Sequence, residues 1–438
     1  MRFHKNKNFT EKKYHNGTLW YAGNLSEDNL SYIHLKLCRK EIPNSKCTMS
    51  IVWQSNEDEY FFAQVDHLST YPLWYNDDTK EIWAQWSDVE KSNFPINESF
   101  YAQRELFLDT MTVGEISPRQ GVDRIMPDHC VKNGTLTRYK HSFDLSKKAP
   151  PINTWEEILH NAVTTNCKDG DVLFLSGGRD STTIANFAIY NNINLEYVHI
   201  SNNEEKMDTK ATKQFESNKG IKVIYLHPDD IKEFLPEHHD NHWHDGSFRF
   251  KYNAMKTLGK SHGITGEYGA SEHGHSKINY IHQCTDLTTD KLVNLHITTL
   301  EARNDASATP IWIDKGFLKH EIGKLRKDAY EYIVDYVENL LIYNWEQATT
   351  KEQQLEVLLS VMKQEHESYR LFGYSQDPDH TWSHPLADWT WADIIMNTCP
   401  IVRKIGKHDR WVYKMATKNC EWFDDTAWQF GSPRGMSR

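Results

Sequence analysis

Residues 170–185, Gly-Asp-Val-Leu-Phe-Leu-Ser-Gly-Gly-Arg-Asp-Ser-Thr-Thr-Ile-Ala, constrain the fold more than any other stretch of the chain. The apolar run Val172–Leu175 predicts a buried parallel strand. The small and apolar residues Ile184, Ala185, Phe187, Ala188 and Ile189 predict a helix. Between them lies Ser176-Gly177-Gly178-Arg179-Asp180-Ser181. A strand, a glycine-rich turn and a helix N-terminus together make an anion site. Two glycines let the backbone approach phosphate oxygens, and free N–H groups and the helix dipole favour negative charge. Ser176 and Ser181 add hydroxyl donors, while Asp180 would repel a bare phosphate and makes sense if Mg²⁺ lies between. The turn is not a Walker A loop, because no Gly-Lys-Ser/Thr follows, and its glycine spacing is not that of a Rossmann fingerprint.

The texture around this stretch changes along the chain. Residues 1–143 hold short aromatic and β-branched segments (Met49–Trp53, Tyr60–Gln64, Glu81–Gln85) and one helical segment, Phe100–Met111, and predict an α+β domain of antiparallel sheets. Residues 144–153, with two prolines and two lysines, read as a linker. From residue 154 strands and helices alternate: helix Trp155–Thr165, strand 171–175, helix 181–191, strand Leu195–Ile200, helix 205–218 and strand Ile221–Tyr225. This predicts an α/β domain with a parallel sheet over 154–438, ending in a helical part (316–370 and 389–420). Its ligands would bind at the carboxyl ends of the strands, where the Ser-Gly-Gly turn sits.

A chain of 438 residues predicts two or three domains, and 38% hydrophobic with 25% charged residues fits a soluble protein. No apolar run reaches the length of a membrane span, and Met1–Lys5 opens no signal peptide. Seven cysteines without paired spacing point to free thiols and a reducing, cytoplasmic compartment. A net charge of −11 argues against a nucleic-acid partner.

The turn resembles the SGGxDS loop of the PP-loop ATP pyrophosphatases, which cleave ATP to AMP and pyrophosphate. A second stretch, Gly263–Gly274, narrows the resemblance. Thr265-Gly266-Glu267 and Ser271-Glu272 are similar to the SGEGxDExFGG loop of asparagine synthetases and their relatives, the β-lactam synthetases and lasso-peptide cyclases. Val65–Tyr75 resembles that family's D.xG..PLYY hairpin and Gly121–Asp128 its I..L.PG segment. His384–Asp388 resembles its PFLD turn and Lys407–Met415 its GK..LR helix. The resemblance covers nearly the whole chain and implies an N-terminal nucleophile (Ntn) hydrolase-like glutaminase fold over 1–143. A PP-loop synthetase domain would follow over 154–438.

Three departures matter. Glutamine-using members carry a nucleophilic Cys after the initiator Met. Here Arg2 stands there and the nearest cysteine is Cys38, so the expectation is a glutaminase fold without glutaminase chemistry. The family's Mg²⁺ is held by two aspartates. Here the first is Asp180, the second position holds Ser271, and Glu272 is the candidate replacement. The family's late lysine is missing from Trp428–Arg434, leaving Arg434 as candidate, with Lys414 and Lys418 behind it.

The resemblance implies an ATP- and Mg²⁺-dependent ligase. A small carboxylate would attack the α-phosphorus, leaving pyrophosphate on Ser176, Gly177, Gly178 and Ser181. Ammonia or an amine would then displace AMP. Backbone near Leu175 and Ile200-Ser201 would hold adenine and ribose, with Thr265 and Gly266 closing over the nucleotide. Glu267 would position the amine or take its proton, or else would serve as the partner of a basic side chain. Two other readings stand beside this: an adenylating enzyme that modifies a nucleobase or tRNA, and a nucleotide-binding scaffold without catalysis. The segment Glu237–Asp245, with four His and three acids in nine residues, suits either a transition metal or a solvated or substrate-contacting loop. His273 and His275 lie just past the second loop, and the charged helix over 322–338 reads as a solvated face. A homodimer is expected by analogy with the family.

Overall fold

The computed structural model describes residues 1–44, 47–106, 112, 114–127, 129–138, 152–201, 206–234, 246–267, 324–345 and 371–391. They divide into two compact units, one drawn from Met1–Phe143 and Lys277–Phe372, the other from Asp144–Ser276 and Gly373–Arg438. Among the described residues no helix is long and apolar enough to cross a membrane, and Cys38, Cys47, Cys130 and Cys167 are free thiols.

The first unit contains strands β1 (Arg2–His4), β2 (Thr10–Tyr14), β3 (Gly17–Gly23), β4 (Met49–Ser55), β5 (Phe61–Gln64), β6 (Trp74–Asn76), β7 (Glu81–Trp83), β8 (Val122–Arg124), β9 (His129–Lys132) and β10 (Thr135–Arg138). Six form an antiparallel sheet in the order β10-β9-β5-β4-β3-β2, and four form a second sheet, β1-β7-β6-β8, antiparallel except for the β1–β7 pair. Period-two alternation sets the layers. On β4, Ile51 and Trp53 face helix α1 (Glu27–Cys38), which returns Leu30, Ile33 and Leu37. Val52, between them, faces the other way and packs with Tyr75 and Ile82 of the second sheet and with Leu73 and Ile125 beside its strands. The order is therefore helix, sheet, sheet. Ser26 starts α1 by accepting the Asn29 N–H at 3.2 Å. Helix α2 (Trp86–Glu90) follows β7, and the helix expected over Phe100–Met111 is described as α3 over Glu98–Leu106.

The turn before β6 carries two unusual residues. The Oδ1 of buried Asp66 accepts from the Leu68 and Thr70 amides and the Thr70 hydroxyl. Burial pushes its carboxyl up to about 6. Because the folded value lies above the unfolded one (near 3.9), this group stabilises the fold fully below about pH 4, and that stability is lost as pH rises through 6. Asp66→Asn keeps the acceptor and removes the charge. Between pH 4 and 7 the variant should lose about 2–3 kcal/mol less stability than the parent in urea unfolding. Ser69 has a φ of +48°, is fully buried, and its hydroxyl finds no hydrogen-bond partner among the described residues. Ser69→Gly removes both costs and should stabilise the unit by about 1 kcal/mol, read as a raised urea midpoint.

The second unit is a doubly wound, Rossmann-like α/β layout. Strands β11 (Val172–Phe174), β12 (Glu196–Ile200), β13 (Val223–Leu226), β14 (His262–Ile264) and β15 (Thr381–Ser383) form one parallel sheet in the order β13-β12-β11-β14-β15. Helices α4 (Ile152–Asn166), α5 (Arg179–Tyr190), α6 (Met207–Lys219) and α7 (Gly246–Leu258) interleave with it. Alternate residues of β11 serve the two faces. Leu173 packs with Leu159, Val163, Ile184 and Phe215 from α4, α5 and α6. Val172 and Phe174 pack with Phe248, Tyr252 and Met255 from α7. Helix α4 begins at Ile152, directly after Pro150-Pro151, so the stretch read as linker runs two residues into the helix. The helical parts expected over 346–370 and beyond 391 lie outside the described residues.

Candidate nucleotide site at the switch point of the parallel sheet

The chain leaves β11 toward β12 and β13, then returns to the other side of β11 as β14. This reversal makes the gap between β11 and β14 the switch point, where loops leave in opposite directions and a crevice opens outside the carboxyl ends. The two loops flanking it are the two stretches that the sequence singles out, 175–181 after β11 and 265–267 after β14.

The first loop is held tightly. Gly177 has a φ of +68°, and a Cβ there would lie 2.4 Å from the Asp208 carbonyl oxygen, so the N-terminal end of α6 admits only glycine. The Ser181 hydroxyl accepts the Ser176 N–H and lies 3.1 Å from the Ser176 hydroxyl, which accepts the Gly178 N–H at 3.2 Å. Thr182 Oγ1 donates to the Gly178 carbonyl at 2.7 Å. Helix α5 opens on Gly178, which provides no side-chain cap, and its dipole points at the turn. Asp180 lies in the first turn.

Gly266 closes the other side. A Cβ on it would lie 3.0 Å from Asp180 Cβ and 3.1 Å from the Ser181 nitrogen. The second loop therefore lies directly against the start of α5, bringing Gly177, Gly178, Asp180, Ser181 and Gly266 together. The Thr265 N–H donates to the Ser383 carbonyl on β15. Its hydroxyl is engaged by His384 Nδ1 at 2.7 Å, and it accepts the Glu267 N–H at 3.3 Å. Burial pushes the His384 imidazole down to about 3, so it is neutral at any working pH.

Glu267 is buried. Its Oε1 accepts from Lys251 Nζ at 2.8 Å and from the Tyr374 hydroxyl at 2.9 Å, and Lys251 donates to the Tyr374 oxygen at 2.7 Å. Three polar groups thus close a ring immediately beside Gly266. Sequence reading misses Lys251 and Tyr374. A signal exists: Lys251 lies three residues after Phe248 and four before Met255, on the apolar stripe of α7.

Leu175 and Ile200 stand at the ends of adjacent strands. The Leu175 N–H donates to the Val198 carbonyl and its carbonyl binds His199 Nδ1 at 2.7 Å, so its backbone is engaged within the sheet. Ile200 packs against the α7 side of the core. Glu272, Arg434, Lys414, Lys418, His273, His275 and the segment 237–245 lie outside the described residues. Among the described residues no group of three or more His, Cys, Asp or Glu is placed to hold a metal. The residues that are placed fit a phosphate chain, because the turn carries the Ser176 and Ser181 hydroxyls and α5 opens on it without a side-chain cap. A Mg²⁺ carried by such a chain needs only one or two carboxylates, and Asp180 is positioned to be one. Compared with known proteins, the chain matches no family model and no curated protein.

Proposed function

We propose that the chain is an ATP-dependent, AMP-forming carbon–nitrogen ligase of the asparagine-synthetase type, which adenylates a small carboxylate and passes it to ammonia or an amine without hydrolysing glutamine. One observation carries the reading: the Ser-Gly-Gly-Arg-Asp-Ser turn and the Thr-Gly-Glu loop leave neighbouring strands at the switch point, and Gly266 touches Asp180. In this reading the turn amides, the α5 dipole, Ser176 and Ser181 hold the departing pyrophosphate, and Asp180 holds the nucleotide's Mg²⁺, which would neutralise phosphate charge. Glu267 sits where an incoming amine needs an acceptor for its proton.

The first unit supports the same assignment. Two face-to-face sheets suit a glutaminase-type (Ntn-hydrolase-like) fold. Ser69, with its positive φ, occupies the glycine position of the D.xG..PLYY pattern. Burial pushes the Cys130 thiol up to about 11, which makes it a poor nucleophile. The second unit is then the PP-loop synthetase unit.

The test is pyrophosphate release from ATP and Mg²⁺ with ammonium and a panel of carboxylates led by aspartate. Release with one acid, reduced at least about 100-fold in Asp180→Ala, is the expected result. No release with any acid would count against a ligase and for a nucleotide-binding scaffold.

A further inference from the structure

Acyl-adenylate formation adds negative charge at a five-coordinate phosphorus, and a positioned cation there lowers the barrier. The Ser-Gly-Gly turn contributes amides and hydroxyls, but Asp180 has the wrong sign for that task. Lys251 has the right one. It projects from α7 to the Thr265–Glu267 loop, and its side chain is 17% exposed against 6% for Glu267. Two of the three donors on its ammonium are accounted for, by Glu267 and Tyr374. The pairing also cancels a carboxylate that would otherwise stand one residue from Gly266 and add to the charge of Asp180. Tyr374 donates to Glu267 independently, so the carboxylate stays held if the ammonium moves.

Resting on the ligase reading above, we propose that Lys251 is the catalytic cation of adenylation, exchanging its contact with Glu267 for the α-phosphoryl group. In the first step the substrate carboxylate oxygen bonds to the α-phosphorus, the bond to the β-phosphate oxygen breaks, and its electron pair leaves with pyrophosphate. Lys251 meets the charge on the α-phosphoryl oxygens, and Glu267 loses its cation. In the second step the amine nitrogen bonds to the acyl carbon and the bond to AMP breaks. AMP leaves with that electron pair, and the uncovered Glu267 takes the proton released from nitrogen. The one ion pair thus serves both half-reactions in turn.

The experiment is ATP–pyrophosphate exchange, which reads the first step alone, with the acid that supports release. Because Lys251→Ala removes the cation from beside the buried Glu267 carboxylate, the decisive comparison is Glu267→Gln, which leaves the Lys251 ammonium as the ring's one charge, against Glu267→Gln/Lys251→Met, which leaves none, both checked for folding by circular dichroism. The double variant should exchange roughly 100- to 1,000-fold more slowly than the single one, with the ATP KM changed by no more than about threefold. Lys251→Arg should keep activity within about tenfold of the parent, and ethylamine should partly restore exchange in Lys251→Ala. Equal exchange in the single and double variants, or a loss confined to KM, overturns the proposal while leaving the ligase reading intact. A parent protein that exchanges with no acid overturns both.

Discussion

Gly177→Ala is expected to destabilise the second unit by about 3 kcal/mol and to abolish ATP binding. Two costs add. A side chain at φ +68° strains the backbone by about 1–2 kcal/mol. The new methyl would also lie 2.4 Å from the Asp208 carbonyl oxygen, which is main chain and cannot rotate away. Relief requires the turn to move off the α6 terminus, and the hydroxyl and amide positions of Ser176, Gly178 and Ser181 move with it. Gly170 is the control. It has a φ of +84° in the same unit, and a methyl group added there would meet nothing within 4 Å, so Gly170→Ala should show the strain alone and bind ATP normally. Urea unfolding and calorimetric ATP titration of both variants make the comparison. Equal losses for the two would mean that the close approach at Gly177 has no energetic weight.

The second large effect is electrostatic. Lys251→Met is expected to cost roughly 3 kcal/mol at neutral pH, because removing one partner of a buried pair leaves the other charge uncompensated. Glu267→Gln/Lys251→Met should recover most of that loss, since both charges are then gone and the Tyr374 hydroxyl keeps an amide acceptor. A double variant no more stable than the single one would show that the two residues are not coupled in the fold.

The parts of this site legible in the sequence are those whose cause is local. A short apolar strand, paired glycines and a helix need only neighbouring residues to form, and Gly177 and Gly178 signal a backbone demand by their identity. The same holds for β12 and α6, whose periodicity is intact over their length. What stays hidden depends on contacts between distant residues. Lys251 meets Glu267 across 16 positions and Tyr374 across 123. Strand β15 is only Thr381-Trp382-Ser383, too short and polar to read as sheet. It belongs there because Gly263 leaves room for the Trp382 ring, which would lie 2.3 Å from any Cβ. Thr265 shows the limit in the other direction. The sequence suggests a nucleotide contact, yet its hydroxyl is held by His384, a partner 119 residues away. Ser69 is informative for a different reason, since a residue that breaks the left-handed preference for glycine is visible only once its φ is known.

The most direct test of the central claim is the identity of the nucleotide product. The protein would be mixed with ATP, Mg²⁺, ammonium and the carboxylate that supports turnover, and the products followed by phosphorus NMR. AMP and pyrophosphate are expected in equal amounts, both absent with Gly177→Ala. ADP and orthophosphate in their place would contradict the claim, because they would put the attack on the γ-phosphorus and leave no role for an acyl-adenylate at the β11–β14 switch point.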